Sequence, residues 1–368
     1  MRPCGNQPRR ARTLSGGVQY ERAVYECPRC RASGAPLDGE LGLAKGDQLS
    51  RAVVRKMAWS AAVGSFAWAA DNRKEMTGVE VSAAQCQRSS LEVGLAVETR
   101  QREEETRRLA PVSPQRPAPA PEIACLRLVI EADATCVLTV AGQEHKSVYC
   151  ARAFGLEDRA SKEESGREFL SRSRVAASAV NMEDFGDRLK ALGYRMGLRG
   201  AQEVAFVADG APCLWKWAKD NLPRGAALIQ DYWHVAEHLA QVCKEVYEET
   251  PGTSERLERW KQALTESRAS EVIEELRGEH KRRRGAKRER LEKEIHYLEA
   301  GRERMDYARY REEGWPIGSG AVEATCKHLI KERFALTGAR WDRSNIAPIA
   351  ALRVAIMNDE WESAWSRN

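Results

Sequence analysis

The sequence contains no apolar run long enough to cross a membrane, and its first twenty residues lack the hydrophobic region of a secretory signal peptide. Its ten cysteines are spread too thinly over 368 residues to form a disulfide scaffold. These absences exclude a membrane-spanning protein and a small disulfide-rich secreted domain. We therefore expect a soluble, cytoplasmic protein with no membrane partner.

A strong excess of one charge is also missing. The 59 Lys and Arg side chains nearly balance the 54 Asp and Glu side chains, which leaves a formal net charge of +5. Bulk charge therefore permits a nucleic-acid partner without requiring one. The segment "KRRRGAKRER" at residues 281–290 is locally basic, and it is either a phosphate-binding surface or a solvated helix face.

Paired cysteines are scarce. In "ECPRC", Cys27 and Cys30 have the spacing of a zinc knuckle, but no second CxxC or HxxxH pair lies nearby. Cys4 and Cys86 are candidate partners, so zinc at the N-terminus is a hypothesis. The preceding residues 1–25 are basic and low in apolar content, and we expect them to be poorly ordered.

Changes in composition divide the chain. Residues 1–48 form a basic leader with the cysteine knuckle, and residues 49–110 have the three- and four-residue apolar spacing of helices. Such a helical domain is suited to DNA binding, for example as a helix-turn-helix, although any small helical bundle has the same pattern. Residues 111–122 contain five prolines and predict an extended linker. A second domain then spans residues 123–368.

The second domain has the pattern of an α/β fold. We expect three adjacent strands at residues 126–133, 134–140 and 146–154, forming an antiparallel meander. A helix follows, and then two buried strands at residues 203–210 and 226–231, separated by another helix. The order of elements predicts a mixed sheet covered by helices.

Three of the predicted strands carry an aspartate at or next to their ends: Asp133, Asp209 and Asp231. In open α/β sheets ligands gather at the carboxyl ends of the strands. Each aspartate alone is better explained as a turn former or a helix cap than as a ligand. Glu323 follows the turn "GSG" and begins a basic helix, where its charge also suits the helix dipole.

Clustered carboxylates repel one another, and a divalent cation is the commonest reason for keeping them together. Hard oxygen ligands favour Mg²⁺ or Mn²⁺. Two such ions activate the attacking oxygen and stabilise the leaving oxygen in phosphoryl transfer. Glu323 is then expected to be the last ligand, with the basic helix behind it holding a phosphate backbone.

The sequence around these carboxylates resembles insertion-sequence transposases of the DDE class, in the ISKra-type group. The second-aspartate block is "FVADGAPCLWKWAKDNLPRGAALIQDYWHVAEHL", and the glutamate block is "GWPIGSGAVEATCKHLIKERF" followed by "GARW". Looser similarities are "YECPRCRASGAPLDGELGL" near the N-terminus and the strand-rich stretch around Asp133. Together these blocks cover most of the chain.

The resemblance implies a ribonuclease-H-like mixed sheet with an α-helical insertion at about residues 235–312, preceded by the mostly helical N-terminal domain. It also implies that Asp133, Asp209 and Glu323 form a catalytic triad that binds Mg²⁺ or Mn²⁺. One departure from the family is "EADAT", where the first aspartate commonly precedes a glycine. Glu131 shares a strand face with Asp133 and competes for its role.

The resemblance further implies DNA cleavage and joining at insertion-sequence ends. The partners are then double-stranded DNA, as terminal inverted repeats and target, and further copies of the chain on that DNA. We expect the protein to be associated with the nucleoid when it is bound. Candidate contacts with the DNA backbone are Lys327, Lys331, Arg333 and Arg340.

Other functions remain open. Asp231, His234 and His238 form D-x-x-H-x-x-x-H, which alone predicts a zinc hydrolase site. The resemblance instead gives Asp231 and His234 a supporting role beside the triad. A nuclease without strand joining, and an inactive or domesticated DNA-binding protein, fit the same residues.

Overall fold

The computed structural model describes residues 1–43, 48–142, 144–161, 168–247 and 251–366. Residues 44–47 of the predicted leader and 248–250 of the predicted helical insertion lie outside this description. Contacts divide the chain into two compact units. The first comprises residues 1–103, 137–146 and 329–368, and the second comprises residues 104–136 and 147–328. The domain boundaries drawn from composition stay a prediction.

The strands are β1 (Arg2–Thr13), β2 (Gly16–Glu26), β3 (Ser33–Gly34), β4 (Arg127–Val137), β5 (Lys146–Gly155), β6 (Arg159–Ser161), β7 (Glu168–Leu170), β8 (Arg174–Ser178), β9 (Glu203–Ala208) and β10 (Ala227–Gln230). They form sheets in the orders β1-β2-β3, β10-β9-β4-β5-β8 and β6-β7.

The helices are α1 (Pro36–Glu40), α2 (Arg51–Val63), α3 (Phe66–Thr77), α4 (Ala83–Leu109), α5 (Met182–Arg195), α6 (Pro212–Asn221), α7 (Tyr232–Val246), α8 (Pro251–Thr265), α9 (Ala269–Arg282), α10 (Gly285–Gly301), α11 (Tyr307–Glu312), α12 (Gly320–Thr325), α13 (Glu332–Phe334), α14 (Ile346–Met357) and α15 (Trp361–Ser366). Short 3₁₀ turns are Leu156–Asp158, Arg302–Arg304 and Arg343–Asn345, and Cys326–Lys331 is π-helical.

In the first unit, the N-terminal residues form the antiparallel hairpin β1–β2. The expectation of a poorly ordered leader is therefore wrong for these residues. The buried carboxylate of Asp38 forms ion pairs with Arg9 and Arg22 and accepts a hydrogen bond of 2.8 Å from the Tyr20 hydroxyl. One carboxylate thus offsets the repulsion between arginines on both strands, which explains how so basic a segment is ordered.

The predicted helical character of residues 49–110 is confirmed by α2, α3 and α4. Ser50 and Ser65 cap α2 and α3, because their hydroxyls accept hydrogen bonds from backbone N–H groups in the first turns. Gly78 ends α3 at φ +66°, a conformation that favours glycine. Buried residues of α2 and α3 pack with Leu49, Val79 and Cys86 in one apolar core.

The second unit contains the five-strand sheet. Strands β4 and β9, and strands β9 and β10, pair in parallel, whereas β5 and β8 are antiparallel. The predicted mixed α/β class is confirmed at this level. The prediction of two strands at 126–133 and 134–140 is wrong, because the single strand β4 runs from Arg127 to Val137 without a turn at Asp133. Strand β8 was missed by the sequence reasoning.

Both faces of the sheet are covered by helices. Leu128, Ile130 and Phe206 face a core with α5 and α6, while Val129 and Val207 face a second core with α7 to α11. This alternation explains why the strands are continuous apolar runs in the sequence.

In the residues that the structure describes, no helix is both long and apolar enough to span a bilayer.

Phe206 should be a major source of stability for the second unit. Its ring is fully buried and lies 5.7 Å from the ring centroids of both Trp215 and Trp217. We expect Phe206→Ala to lower the free energy of unfolding by about 3–5 kcal/mol, because it leaves a cavity. Phe169→Ala, at a ring that is 46% exposed, is the matched control and should change it by no more than about 0.5 kcal/mol. Equal losses in urea denaturation would contradict this packing.

Candidate active site

The parallel register aligns the three aspartates that follow apolar runs. In adjacent strands the residues Ala132, Ala208 and Gln230 form one paired row. Each is followed directly by an aspartate: Asp133, Asp209 and Asp231. Because these strands run in the same direction, the aspartates stand together at one edge of the sheet.

Asp231 uses both of its carboxylate oxygens inside the protein. It is fully buried. Oδ1 accepts hydrogen bonds from the backbone N–H groups of Trp233 (2.6 Å) and His234 (3.0 Å), which caps α7. Oδ2 accepts one from the N–H of Ser319 (2.7 Å) and another from its hydroxyl. Asp231 is therefore a positioning residue that fixes the turn before α12 to the end of β10.

Glu131 makes a second connection to α12. Its carboxylate is buried, and Oε2 accepts a hydrogen bond of 2.8 Å from the backbone N–H of Val322. Burial, with the charge of Asp231 as a further cause, raises the pKa of Glu131 to about 8, against the opposing effect of Arg152. Because Glu131 is enclosed, Asp133 is the better placed of the two to meet a ligand.

Asp133 is half-buried on β4. Its Oδ1 accepts a hydrogen bond of 2.6 Å from the N–H of Ala134, and its Oδ2 lies 3.5 Å from the thiol of Cys326, which donates to it. Burial raises the pKa of Asp133, and the charge of Asp209 adds to the increase. The two aspartates of the predicted triad therefore interact electrostatically.

Asp209 stands at a tight turn after β9. Its Oδ1 accepts a hydrogen bond of 3.1 Å from the N–H of Ala211, and its backbone carbonyl accepts one of 3.2 Å from the hydroxyl of Tyr297. The next residue, Gly210, has φ +115°, and a Cβ there would lie 3.0 Å from the Tyr297 ring. The turn thus requires glycine both for its backbone angle and for its close packing.

Glu323 is exposed on α12, and one of its oxygens lies 3.5 Å from the hydroxyl of Ser319. Partial burial raises the pKa of Glu323, the charges of Asp231 and Asp133 add to the increase, and His234 opposes it. Asp133 thus interacts with both of the other predicted triad members. This mutual repulsion is the condition that a bound cation relieves.

The triad's oxygen donors fit the chemistry of Mg²⁺ or Mn²⁺. However, within the described part of the chain, one oxygen from each of the three carboxylates cannot be chosen so that all three lie within 4.8 Å of one another. That criterion is met by a different group, Cys125, Glu157 and Asp158. Magnesium at the triad therefore stays a prediction.

The histidines do not complete a zinc site with Asp231. His238 stacks on Tyr297 with ring centroids 4.1 Å apart, and its Nδ1 lies 3.3 Å from Glu294. The ring of His234 is 6.1 Å from that of His238, and both oxygens of Asp231 accept hydrogen bonds. This geometry gives no support to the zinc hydrolase hypothesis.

The basic residues have different surroundings. Lys327, Lys331 and Arg340 are exposed, as predicted contacts with DNA must be. Arg333 is buried in the first unit, where its guanidinium lies 4.7 Å from the ring centroids of both Phe66 and Trp341. Its Nε donates a hydrogen bond of 2.7 Å to the carbonyl of Ala61. Arg333 is therefore a packing residue, and its assignment to DNA contact was wrong.

Cys27 and Cys30 lie in the turn after β2. Hydrogen bonds from the backbone N–H groups of Cys30 and Arg29 lower the pKa of the Cys27 thiol, which favours a metal-binding thiolate. Cys86 is enclosed in the helical core and is not their partner. Among the described residues no third ligand is gathered with this pair, so zinc here also stays a prediction.

Several residues of the site were not identified as such from the sequence, namely Ser319, Val322, Cys326 and Tyr297. The hydrogen bond from Ser319 to Asp231 spans 88 positions, and the bond from Val322 to Glu131 spans 191. Local patterns do not contain such contacts. Glu131 was noticed only because it shares a strand face with Asp133.

No family model matches the chain, and no curated protein matches it.

Asp231→Asn should disrupt the connection between β10 and α12. The amide group offers one acceptor where the carboxylate offers two, so N–H groups of Trp233, His234 or Ser319 would face an N–H₂ group. We expect a loss of at least about 2 kcal/mol in the free energy of unfolding. Asp220→Asn, at an exposed ion pair with Lys216, is the control and should lose no more than about 0.5 kcal/mol. Comparable losses of unfolding free energy in the two variants would show that the hydrogen bonds of Asp231 contribute no more to stability than an exposed ion pair.

Glu131 should make stability depend on pH. Its pKa of about 8 in the folded chain exceeds the ordinary value of 4.5, so between these values the folded chain holds a proton that the unfolded chain releases. Stability should therefore fall as pH rises through this window, by up to about 1.4 kcal/mol per pH unit. Glu131→Gln keeps the acceptor for Val322 and should flatten the decline, measured by denaturation in chelator. Parallel pH curves for the two proteins would count against a protonated Glu131.

Proposed function

We propose that the chain is a Mg²⁺-dependent DNA transposase of the DDE class, which cleaves and joins insertion-sequence ends. The observation that carries the proposal is the shared row of Asp133, Asp209 and Asp231 across adjacent parallel strands, in which Asp133 lies within β4 and the other two directly follow β9 and β10. Asp231 and Glu131 accept hydrogen bonds from the backbone N–H groups of Ser319 and Val322 at the start of α12, which brings Glu323 to that same edge.

The five-strand mixed sheet is compatible with the ribonuclease-H-like fold that the resemblance implies. The helices α7 to α11 lie between β10 and α12, where the resemblance expects an insertion. They supply the second core of the sheet. These features support the proposal at the level of architecture.

In the proposed mechanism, Asp133, Asp209 and Glu323 hold Mg²⁺. When bound, the metal supplies charge neutralisation and activates the attacking oxygen. Ala134 and Cys326 orient Asp133 by donating hydrogen bonds to its two oxygens, and Ser319 lies beside Glu323. The raised pKa values of Asp133 and Glu323 mean that metal competes with protons for these groups.

The reaction has two phosphoryl transfers. Water attacks the phosphodiester at an element end and releases a 3′-hydroxyl, which then attacks target DNA without a covalent enzyme intermediate. Exposed Lys327, Lys331 and Arg340 are candidates for holding the phosphate backbone. Two ends must be joined, so the proposal includes a homo-oligomer on DNA, with the protein in the cytoplasm and at the nucleoid.

A catalytically inactive or domesticated DNA-binding protein is the second candidate. It is favoured by one observation: in the part of the chain described, the triad oxygens do not all approach within 4.8 Å. In this alternative the carboxylates have structural roles like that of Asp231, and the exposed basic residues still bind DNA.

The decisive experiment uses DNA that carries the sequences flanking the coding region. We expect the wild-type chain to cleave and join this DNA in Mg²⁺ and not in chelator. Asp209→Asn and Glu323→Gln should each lower the cleavage rate at least about 100-fold, because each removes a charge that stabilises the transition state. Asp220→Asn and Glu312→Gln, both exposed and away from the sheet edge, are the matched controls.

The products separate the candidates. Cleavage without joined products identifies a nuclease. DNA binding without cleavage, unchanged by Glu323→Gln, identifies the inactive DNA-binding protein. Wild-type cleavage rates in both triad variants would refute the assignment of the active site.

A further inference from the structure

A thiol and two carboxylates meet at the other end of β4 from the candidate active site. Cys125 precedes β4, and Glu157 and Asp158 belong to the 3₁₀ turn that follows β5. One ligand atom from each side chain lies within 4.8 Å of the other two. Strand β4 extends about 20 Å from its start to Asp133, so this group is separate from the triad.

Asp158 points an unsatisfied oxygen into this group. The residue is 3% exposed, and its Oδ1 accepts hydrogen bonds from Arg172 Nε (2.7 Å) and the Ser171 hydroxyl (3.3 Å). Its Oδ2 is buried, and no described residue donates a hydrogen bond to it. Buried carboxylate oxygens in folded proteins nearly always have a partner, so this oxygen indicates a missing one.

Gly155 shows where that partner would sit. A Cβ on Gly155 would lie 2.8 Å from both Asp158 Oδ2 and Glu157 Oε1. The two oxygens therefore border the same small space beside the glycine. Glu157 is exposed, which gives the space a route to solvent, whereas Cys125 and Asp158 form its buried side.

Within the described residues this group carries more negative than positive charge, because its two carboxylates face one paired arginine, Arg172. Burial raises the pKa of Cys125 to about 12, and the charges of Glu157 and Asp158 add to the increase. Arg172 is the neighbouring cation, but its Nε is bound to the other oxygen of Asp158. A divalent cation would neutralise the two carboxylates and permit a thiolate.

We propose that Cys125, Glu157 and Asp158 bind a zinc ion. One thiolate with two carboxylates suits Zn²⁺ better than Mg²⁺, because a sulfur ligand favours a softer metal. On binding, the Cys125 thiol releases its proton to solvent and forms a bond from sulfur to zinc, and each carboxylate gives one oxygen. Arg172 orients Asp158 by holding Oδ1 and leaving Oδ2 for the metal. The ion would fasten the start of β4 to the turn after β5.

The test uses the full chain carrying Cys27→Ser and Cys30→Ser, which removes the N-terminal knuckle as a source of signal. After treatment with chelator, the protein is titrated with Cd²⁺ and the ultraviolet charge-transfer absorption of the cadmium–thiolate bond is measured. Competition with Zn²⁺ then gives the zinc affinity. We expect a single saturable site, released by chelator.

Matched variants locate the site. Cys125→Ser should abolish the absorption, whereas Cys213→Ser, at an exposed cysteine elsewhere, should retain it. Because Cys125 is buried and its variant could misfold, Glu157→Gln at an exposed position provides the second test. It should weaken zinc binding at least about 10-fold, with Glu183→Gln unchanged as its control. Absence of the absorption in the parent protein, or unchanged zinc affinity in Glu157→Gln, would overturn the proposal.

Discussion

The buried carboxylate of Asp231 is the constraint on which the candidate site depends. Asp231 directly follows β10, caps α7 and accepts hydrogen bonds from Ser319. Ser319 lies 88 positions later in the sequence, after the five helices α7 to α11. Closing a chain segment of that length costs about 4 kcal/mol of entropy. Two charge-assisted hydrogen bonds to Ser319 offset a similar amount, at about 1.5–3 kcal/mol each. The helical core formed by α7 to α11 then supplies the remaining stabilisation of this arrangement.

The same constraint explains why acidic groups accumulate at this edge of the sheet. Glu131 and Asp231 are enclosed and hold α12, whereas Asp133 and Glu323 are more open; burial and the charge of Asp209 raise the pKa of Asp133, and burial and the charges of Asp231 and Asp133 raise that of Glu323. The inner carboxylates thus position the backbone, and the outer ones are more accessible to a ligand. Keeping like charges this close lowers stability, which proteins commonly tolerate where a site must bind a cation.

The sequence predicted that these aspartates come together, because an apolar run followed by an aspartate is a local pattern that does not depend on distant contacts. It failed where the compensating partner is distant. Residues 1–25 were expected to be poorly ordered for their basic composition, but the carboxylate of Asp38 forms ion pairs with two of their arginines. Arg333 belongs to a basic helix in the sequence, yet Phe66 and Trp341 enclose its guanidinium. In both cases a tertiary contact reverses what local polarity indicates.

The helix that follows the Gly-Ser-Gly turn shows how local geometry and distant contacts combine. Glu323 and Cys326 are three residues apart, so they lie on neighbouring parts of one helix surface. That surface can present a carboxylate to the candidate metal site and a thiol donor to Asp133 at the same time. A π-helical segment begins at Cys326, directly after α12. Within it Lys327 and His328 are exposed, whereas Leu329 and Ile330 are buried.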